Sequence, residues 1–128
     1  MTTAVAGELT DETVLSKLRD VVAKRPDYVY SPPEHMKDEI GSCFYAHTDD
    51  EDGFLVSAGC AVGVVLAELG VPLEKLAAQE SIPAYRVLGV LAPRLSKRAK
   101  DVLNDMQTYQ DTGLPWGQAY AQATGVTI

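Results

Sequence analysis

Residues 57–91, SAGCAVGVVLAELGVPLEKLAAQESIPAYRVLGVL, gather apolar side chains into one run that Gly70, Pro72 and Pro83 cut into pieces. A run this apolar has to be buried, and breakers this frequent forbid one long helix. The chain is therefore expected to fold as short helices packed around this segment. Ser57 is read as the cap of a first helix reaching about Leu69. Gly59, Gly63 and Ala67 lie four apart on one face of that helix, where small side chains let another backbone approach. Gly70 reads as its C-terminal stop and Pro72 as the opening of a helix near Leu73 to Glu80. A third helix is expected over Pro83 to Leu91, where Pro93 interrupts it.

The flanking sequence supports the same architecture. Thr10 has the character of an N-cap, Asp11 and Glu12 suit the positive first turn, and Val14, Leu15, Leu18, Val21 and Val22 form one apolar stripe up to Pro26. Tyr28 to Pro33 reads as extended chain, because each residue before a proline is pushed out of the α region. Cys43–Ala46 and Phe54–Val56 flank a polar loop ending in Gly53, which predicts a small hairpin. Ser96 should cap a helix with Ala99, Val102, Leu103, Met106 and Tyr109 on one stripe, stopped by Gly113. Pro115 should open a last helix carrying Trp116, Ala119, Tyr120 and Ala123.

The predicted fold class is mainly α, a compact bundle of five or six short helices with one small β-hairpin. Residues 1–9 are expected to be disordered, and residues 10–128 to form a single globular domain. The expected core is Leu15, Leu18, Val22, Phe44, Val62, Leu66, Leu76, Val87, Leu91, Val102, Leu103, Met106 and Trp116.

Charge narrows the function classes. The net charge is −7, which argues against a general nucleic-acid binder, since phosphate neutralisation needs clustered Lys and Arg. The charge is also polarised. Residues 1–80 hold fifteen acidic and six basic side chains, whereas residues 81–128 hold three and five. The five basics, Arg86, Arg94, Lys97, Arg98 and Lys100, fall within fifteen positions. They read as a solvated helix face or as a contact for an acidic partner. Pairing of the two halves in a homo-oligomer is the other option. The N-terminus MTTAVAGELTDE has neither a basic n-region nor an apolar h-region, and the longest apolar run is too short for a membrane span. A cytoplasmic protein without membrane attachment is expected.

Leu76-Ala77, Ser81-Ile82, Val87 and Val90 match the core positions of a helix-turn-helix. A DNA-reading helix should present polar groups to base edges. Here the outward positions would be Pro83, Ala84, Tyr85, Leu88 and Gly89, with only Arg86 basic nearby. The preferred reading is two short helices meeting at a tight turn for packing. Under the alternative, residues 72–100 bind nucleic acid through Arg86, Arg94, Lys97 and Arg98.

Cys43, His47 and Cys60 are weak candidates for a metal or thiol site. Zinc needs four ligands, or three and water, and the usual paired short spacings are missing. Both cysteines are expected as free thiols in a reducing compartment. Asp49–Asp52 fails the calcium-loop spacing, since Gly59 would stand where a Glu is needed. No phosphate cradle, nucleophile elbow or metalloprotease helix is present, so no catalytic residue and no cofactor is assigned. Tyr28 and Tyr30 are open between packing on the helical layer and an exposed aromatic anchor of the kind interfaces favour, and both are candidate partner contacts. Trp116 is expected in the core.

Three groups of residues carry a resemblance. The first is Tyr28-Val29-Tyr30-Ser31-Pro32-Pro33. The second is Cys43-Phe44-Tyr45 with Gly59-Cys60-Ala61-Val62-Gly63 and Leu69-Gly70-Val71-Pro72. The third is Gln107, Gln110-Asp111-Thr112-Gly113 and Trp116-Gly117-Gln118-Ala119. Together, over roughly residues 26–121, they resemble a family of small uncharacterised proteins of actinobacteria and their phages. The resemblance implies a phage or prophage accessory protein and carries over no activity, cofactor or catalytic residue. The expected function is a non-enzymatic interaction module that binds a host protein.

Overall fold

A computed structural model describes residues 9–31, 45–48, 55–79 and 82–127. Six helices and one two-stranded hairpin are present among them, as the mainly α class requires. They are α1 (Asp11–Lys24), β1 (Ala46–Thr48), β2 (Leu55–Ala58), α2 (Ala61–Glu68), α3 (Leu73–Ala77), α4 (Ala84–Leu91), α5 (Lys97–Asp111) and α6 (Trp116–Thr124). α5 is the hub. It packs along α6 and α4 and also touches α2 and α1, while α1 covers α2 and α6.

Local signals explain most helix boundaries. In α1 the Thr10 hydroxyl accepts from the Thr13 amide, and the Thr13 hydroxyl oxygen accepts from the Thr10 amide, a reciprocal capping box. α1 and α4 stop in the same way. Arg25 (φ −144°, ψ 60°) and Ala92 (φ −142°, ψ 64°) each precede a proline and leave the α region together. α2 ends at a left-handed Gly70 (φ 101°), with Val71 N–H donating to the Leu66 carbonyl and Gly70 N–H to that of Ala67. That is a Schellman turn, and Gly113 (φ 97°) closes α5 with the same pattern. Pro72, Pro83 and Pro115 are the N-caps of α3, α4 and α6, where a fixed φ fits and no donor is lost.

Three expectations need correction. Ser57 does not cap α2; it lies in β2, and α2 starts at Ala61 with Cys60 as an N-cap whose side chain makes no capping bond. The hairpin is shifted toward the C-terminus: Ala46 pairs with Ala58, His47 with Ser57 and Thr48 with Leu55, antiparallel, with an irregularity between His47 and Thr48. Between α3 and α4, Ile82 N–H donates to the Gln79 carbonyl at 3.1 Å, and the two helices pack on different neighbours. α3 lies on the hairpin and α4 lies along α5, because each short helix buries its apolar side on the nearest large neighbour. The inward side of α4 is Ala84, Val87, Leu88 and Leu91, so Ala84 and Leu88 are not outward, and Val90 is 61% exposed instead of being core.

Of the expected core, Leu18, Val22, Val62, Leu66, Leu76, Val87, Leu91, Leu103, Met106 and Trp116 are buried. Leu15 and Val102 are only half-buried, and Phe44 lies outside the described residues. The buried stripe of α5 runs through Ala99, Leu103, Met106, Gln107 and Gln110, one position round from the apolar stripe of the sequence. Leu9 is buried too, whereas the expectation for residues 1–8 lies outside the described residues. The small face of α2 serves its expected purpose. A Cβ on Gly63 would collide with the Tyr45 carbonyl oxygen, which accepts from Gly59 N–H at 3.0 Å.

Candidate functional site

Three helices that lack a local side-chain cap, α2, α4 and α6, have first-turn amides bonded to acceptors elsewhere in the chain. Gln110 Oε1, on α5, accepts from the first amide of α2, Ala61, at 2.8 Å and from the Trp116 indole Nε1–H at 3.1 Å. Asn104 Oδ1 accepts from Tyr85 N–H at 3.1 Å in the first turn of α4. The Tyr28 and Pro26 carbonyls accept from Trp116 N–H at 2.8 Å and Gly117 N–H at 2.7 Å, at the start of α6. These remote caps hold α2, α4 and α6 against α5 and the 26–28 segment, since first-turn amides have no intrahelical partner.

The network gives Tyr28 a structural task. It is half-buried, meets Trp116 edge-on at 4.8 Å between ring centroids, and carries the Arg25 guanidinium 4.3 Å above its own centroid. Tyr30 is half-buried and its hydroxyl lies 2.9 Å from His47 Nε2. The two candidate tyrosines thus turn to different neighbours, and the exposed residue between them is Val29, 47% accessible. Cys60 is buried at the start of α2, His47 is half-buried on β1, and Cys43 lies outside the described residues, as does the acidic loop 49–52. Among the described residues no three His, Cys, Asp or Glu side chains gather as metal ligands would.

The basic cluster divides. Arg86 is exposed on α4 and Arg94 is exposed in the turn before α5. Lys97 and Arg98 stand in the first turn of α5, on the edge of a groove between α1, α5 and α6 of about 560 Å³. Leu15 and Leu18 of α1, Val102 of α5, and Tyr120 and Ala123 of α6 give it apolar walls, and Asp101 and Asp105 continue its charged rim. Leu15 and Val102 are half-buried because they face this groove.

Charges on and beside this rim are already engaged. Lys97 Nζ donates to Asp101 Oδ2 at 2.8 Å, and that pairing holds the ammonium above its ordinary pKa. Asp11 accepts from Ser96 Oγ at 2.6 Å and from Ser96 N–H at 2.8 Å, which holds its carboxyl below the usual carboxylate range. Ser96 Oγ in turn accepts from Ala99 N–H at 3.1 Å, so the first turns of α1 and α5 are locked together at the groove's upper end. Arg98 and Asp105 are exposed and make no ion pair among the described residues.

Sequence reading found Lys97 and Arg98 but missed Asp101, Asp105 and Tyr120. The signal available was one face of α5: residues 98, 101, 102 and 105 recur at helical spacing with charges around a valine. Among the described residues no helix is long and apolar enough to cross a membrane. Comparison with models of protein families, with curated proteins and with solved structures finds no match.

Proposed function

We propose that this chain is a non-enzymatic interaction module that takes a segment of a protein partner into the α1–α5–α6 groove. The observation that carries this reading is the composition of the groove: apolar walls from three helices, edged along α5 by charges of both signs. An apolar centre with a polar rim is the general anatomy of a protein interface. Among the described residues the lining includes no histidine and no cysteine, and one of its two carboxylates is paired to Lys97. On the resemblance to small proteins of actinobacteria and their phages, the partner is a host protein and the chain a phage or prophage accessory protein.

The competing reading is a nucleic-acid binder using residues 72–100. Arg86 and Arg94 are exposed and make no ion pair among the described residues, which favours it. Against it, α3 and α4 pack on different neighbours, and the outward side of α4 offers Arg86 beside Tyr85, Gly89 and Val90.

Selection of a displayed helical-peptide library against the wild type and against a groove-blocked Val102→Arg variant tests the proposal. Peptides enriched on the wild type and lost on the variant support it. Equal enrichment on both overturns it. A salt-sensitive shift of duplex DNA, abolished by Arg86→Ala with Arg94→Ala, would favour the competing reading.

A further inference from the structure

We infer that the groove's occupant is an amphipathic helix carrying one acidic and one basic side chain seven residues apart. This inference rests on the proposed function and specifies its partner. Arg98 and Asp105 both line the groove and both remain without an ion pair among the described residues. Lys97 is paired with Asp101, and Asp11 is hydrogen-bonded to Ser96, with Arg98 near enough to help hold the Asp11 carboxyl below its usual range. What the groove offers a ligand is therefore one cation and one anion, seven residues apart on α5.

Seven residues of α-helix rise about 10.5 Å. A second helix lying alongside α5 presents side chains at the same rise, so its own i and i+7 positions meet the two rim charges together. Between those charges stands Val102, half-buried, with Leu15 and Tyr120 on the flanking helices. Apolar side chains at i+3 and i+4 of the ligand fall on that patch, the arrangement that lays an amphipathic helix in a groove. The apolar patch supplies affinity, and the two rim pairs set direction and register.

Four fluorescently labelled 15-residue helical peptides test this, with Glu/Lys, Lys/Lys, Glu/Glu or Gln/Gln at i and i+7 and leucines between. The Glu/Lys peptide is expected to bind the wild type roughly five- to tenfold tighter than Gln/Gln at low salt, by anisotropy. Arg98→Glu should shift the preference to Lys/Lys. Independently, Asp105→Lys should shift it to a Glu/Glu peptide, so the test does not hang on one variant. Equal affinity for all peptides, with binding lost in Val102→Arg, overturns the charge-pair inference and leaves the groove as a docking site. No binding by any of these peptides, while the library selection yields groove-dependent ligands, also overturns this inference alone. Failure of both experiments removes the proposed function with it.

Discussion

The indole of Trp116 donates its Nε1–H to Gln110 Oε1 at 3.1 Å, inside the core and six residues away along the α5–α6 corner. The same oxygen takes the Ala61 amide, so one carbonyl joins three helices. Gln110→Leu keeps the approximate volume but leaves two buried donors without an acceptor. An orphaned buried donor costs about 1–3 kcal/mol, so a loss of about 2–4 kcal/mol is expected in urea unfolding. Trp116→Phe removes one of those donors and leaves the Gln110 oxygen to Ala61, so a double-mutant cycle of Trp116→Phe with Gln110→Leu should show the two residues strongly coupled.

Gln107, one turn earlier, should behave in the opposite way. It is buried as well, but its Oε1 has no hydrogen-bond partner among the described residues. Replacing an unsatisfied buried acceptor by an apolar group removes a desolvation cost. Gln107→Leu should be neutral or raise stability by up to about 1 kcal/mol. A loss like that of Gln110→Leu would show that both glutamines serve the core alike.

Two helical glycines should also respond with opposite signs. A methyl group on Gly89 would meet nothing within 4 Å, so Gly89→Ala should stabilise α4 by about 0.5–1 kcal/mol through backbone entropy. Gly63→Ala drives a methyl into the Tyr45 carbonyl, which is backbone and already bonded to Gly59. The expected outcome is a loss of about 1–3 kcal/mol, with a thermal melt of each variant as the check.

The contact between Asp11 and Ser96 predicts a pH dependence. Ser96 holds the Asp11 carboxyl below its ordinary pKa, so its contribution is present above the unfolded value of about 4. It is lost as pH falls through the lowered folded value, because only there does the native state take up the proton. Asp11→Ala should therefore show a lower urea midpoint than wild type at pH 7. The gap should narrow on acidification below the ordinary carboxylate range. A gap that stays constant down to pH ~2 would assign the effect to packing instead of charge.

These contacts also explain how far the sequence could be read. Helix ends were legible where their cause is local: Thr10 with Thr13, Arg25 before Pro26, Gly70 and Gly113 at left-handed turns. Helix starts were not legible where the cap is remote. Ser57 stands near the apolar run and has the chemistry of a cap, yet the acceptor for Ala61 is Gln110, forty-nine residues away. Burial on α5 was misjudged for a related reason. Apolar periodicity selects Val102 and passes over Gln107 and Gln110, since glutamines enter a core only when a tertiary partner or a packing constraint holds them there. The groove stayed hidden because its walls come from three helices. Leu15, Val102 and Tyr120 each look like ordinary core residues when read along one helix.

Adjacent residues on α5 separate the core from the groove. Leu103 is fully buried, and truncation to Ala should cost about 2–5 kcal/mol, the transfer term plus the cavity it leaves. Val102 points its half-exposed side chain at the groove, so it has less contact to lose, and Val102→Ala should cost under about 1.5 kcal/mol. The same substitution shrinks the apolar patch between Arg98 and Asp105, so it should weaken any helical ligand while leaving the fold intact. Paired measurement of the urea midpoint and peptide affinity for both variants checks this. Loss of stability at Leu103 and loss of binding at Val102 is the expected outcome. A stability loss at Val102 as large as at Leu103 would mean that this valine belongs to the core, and that the groove is closed in solution.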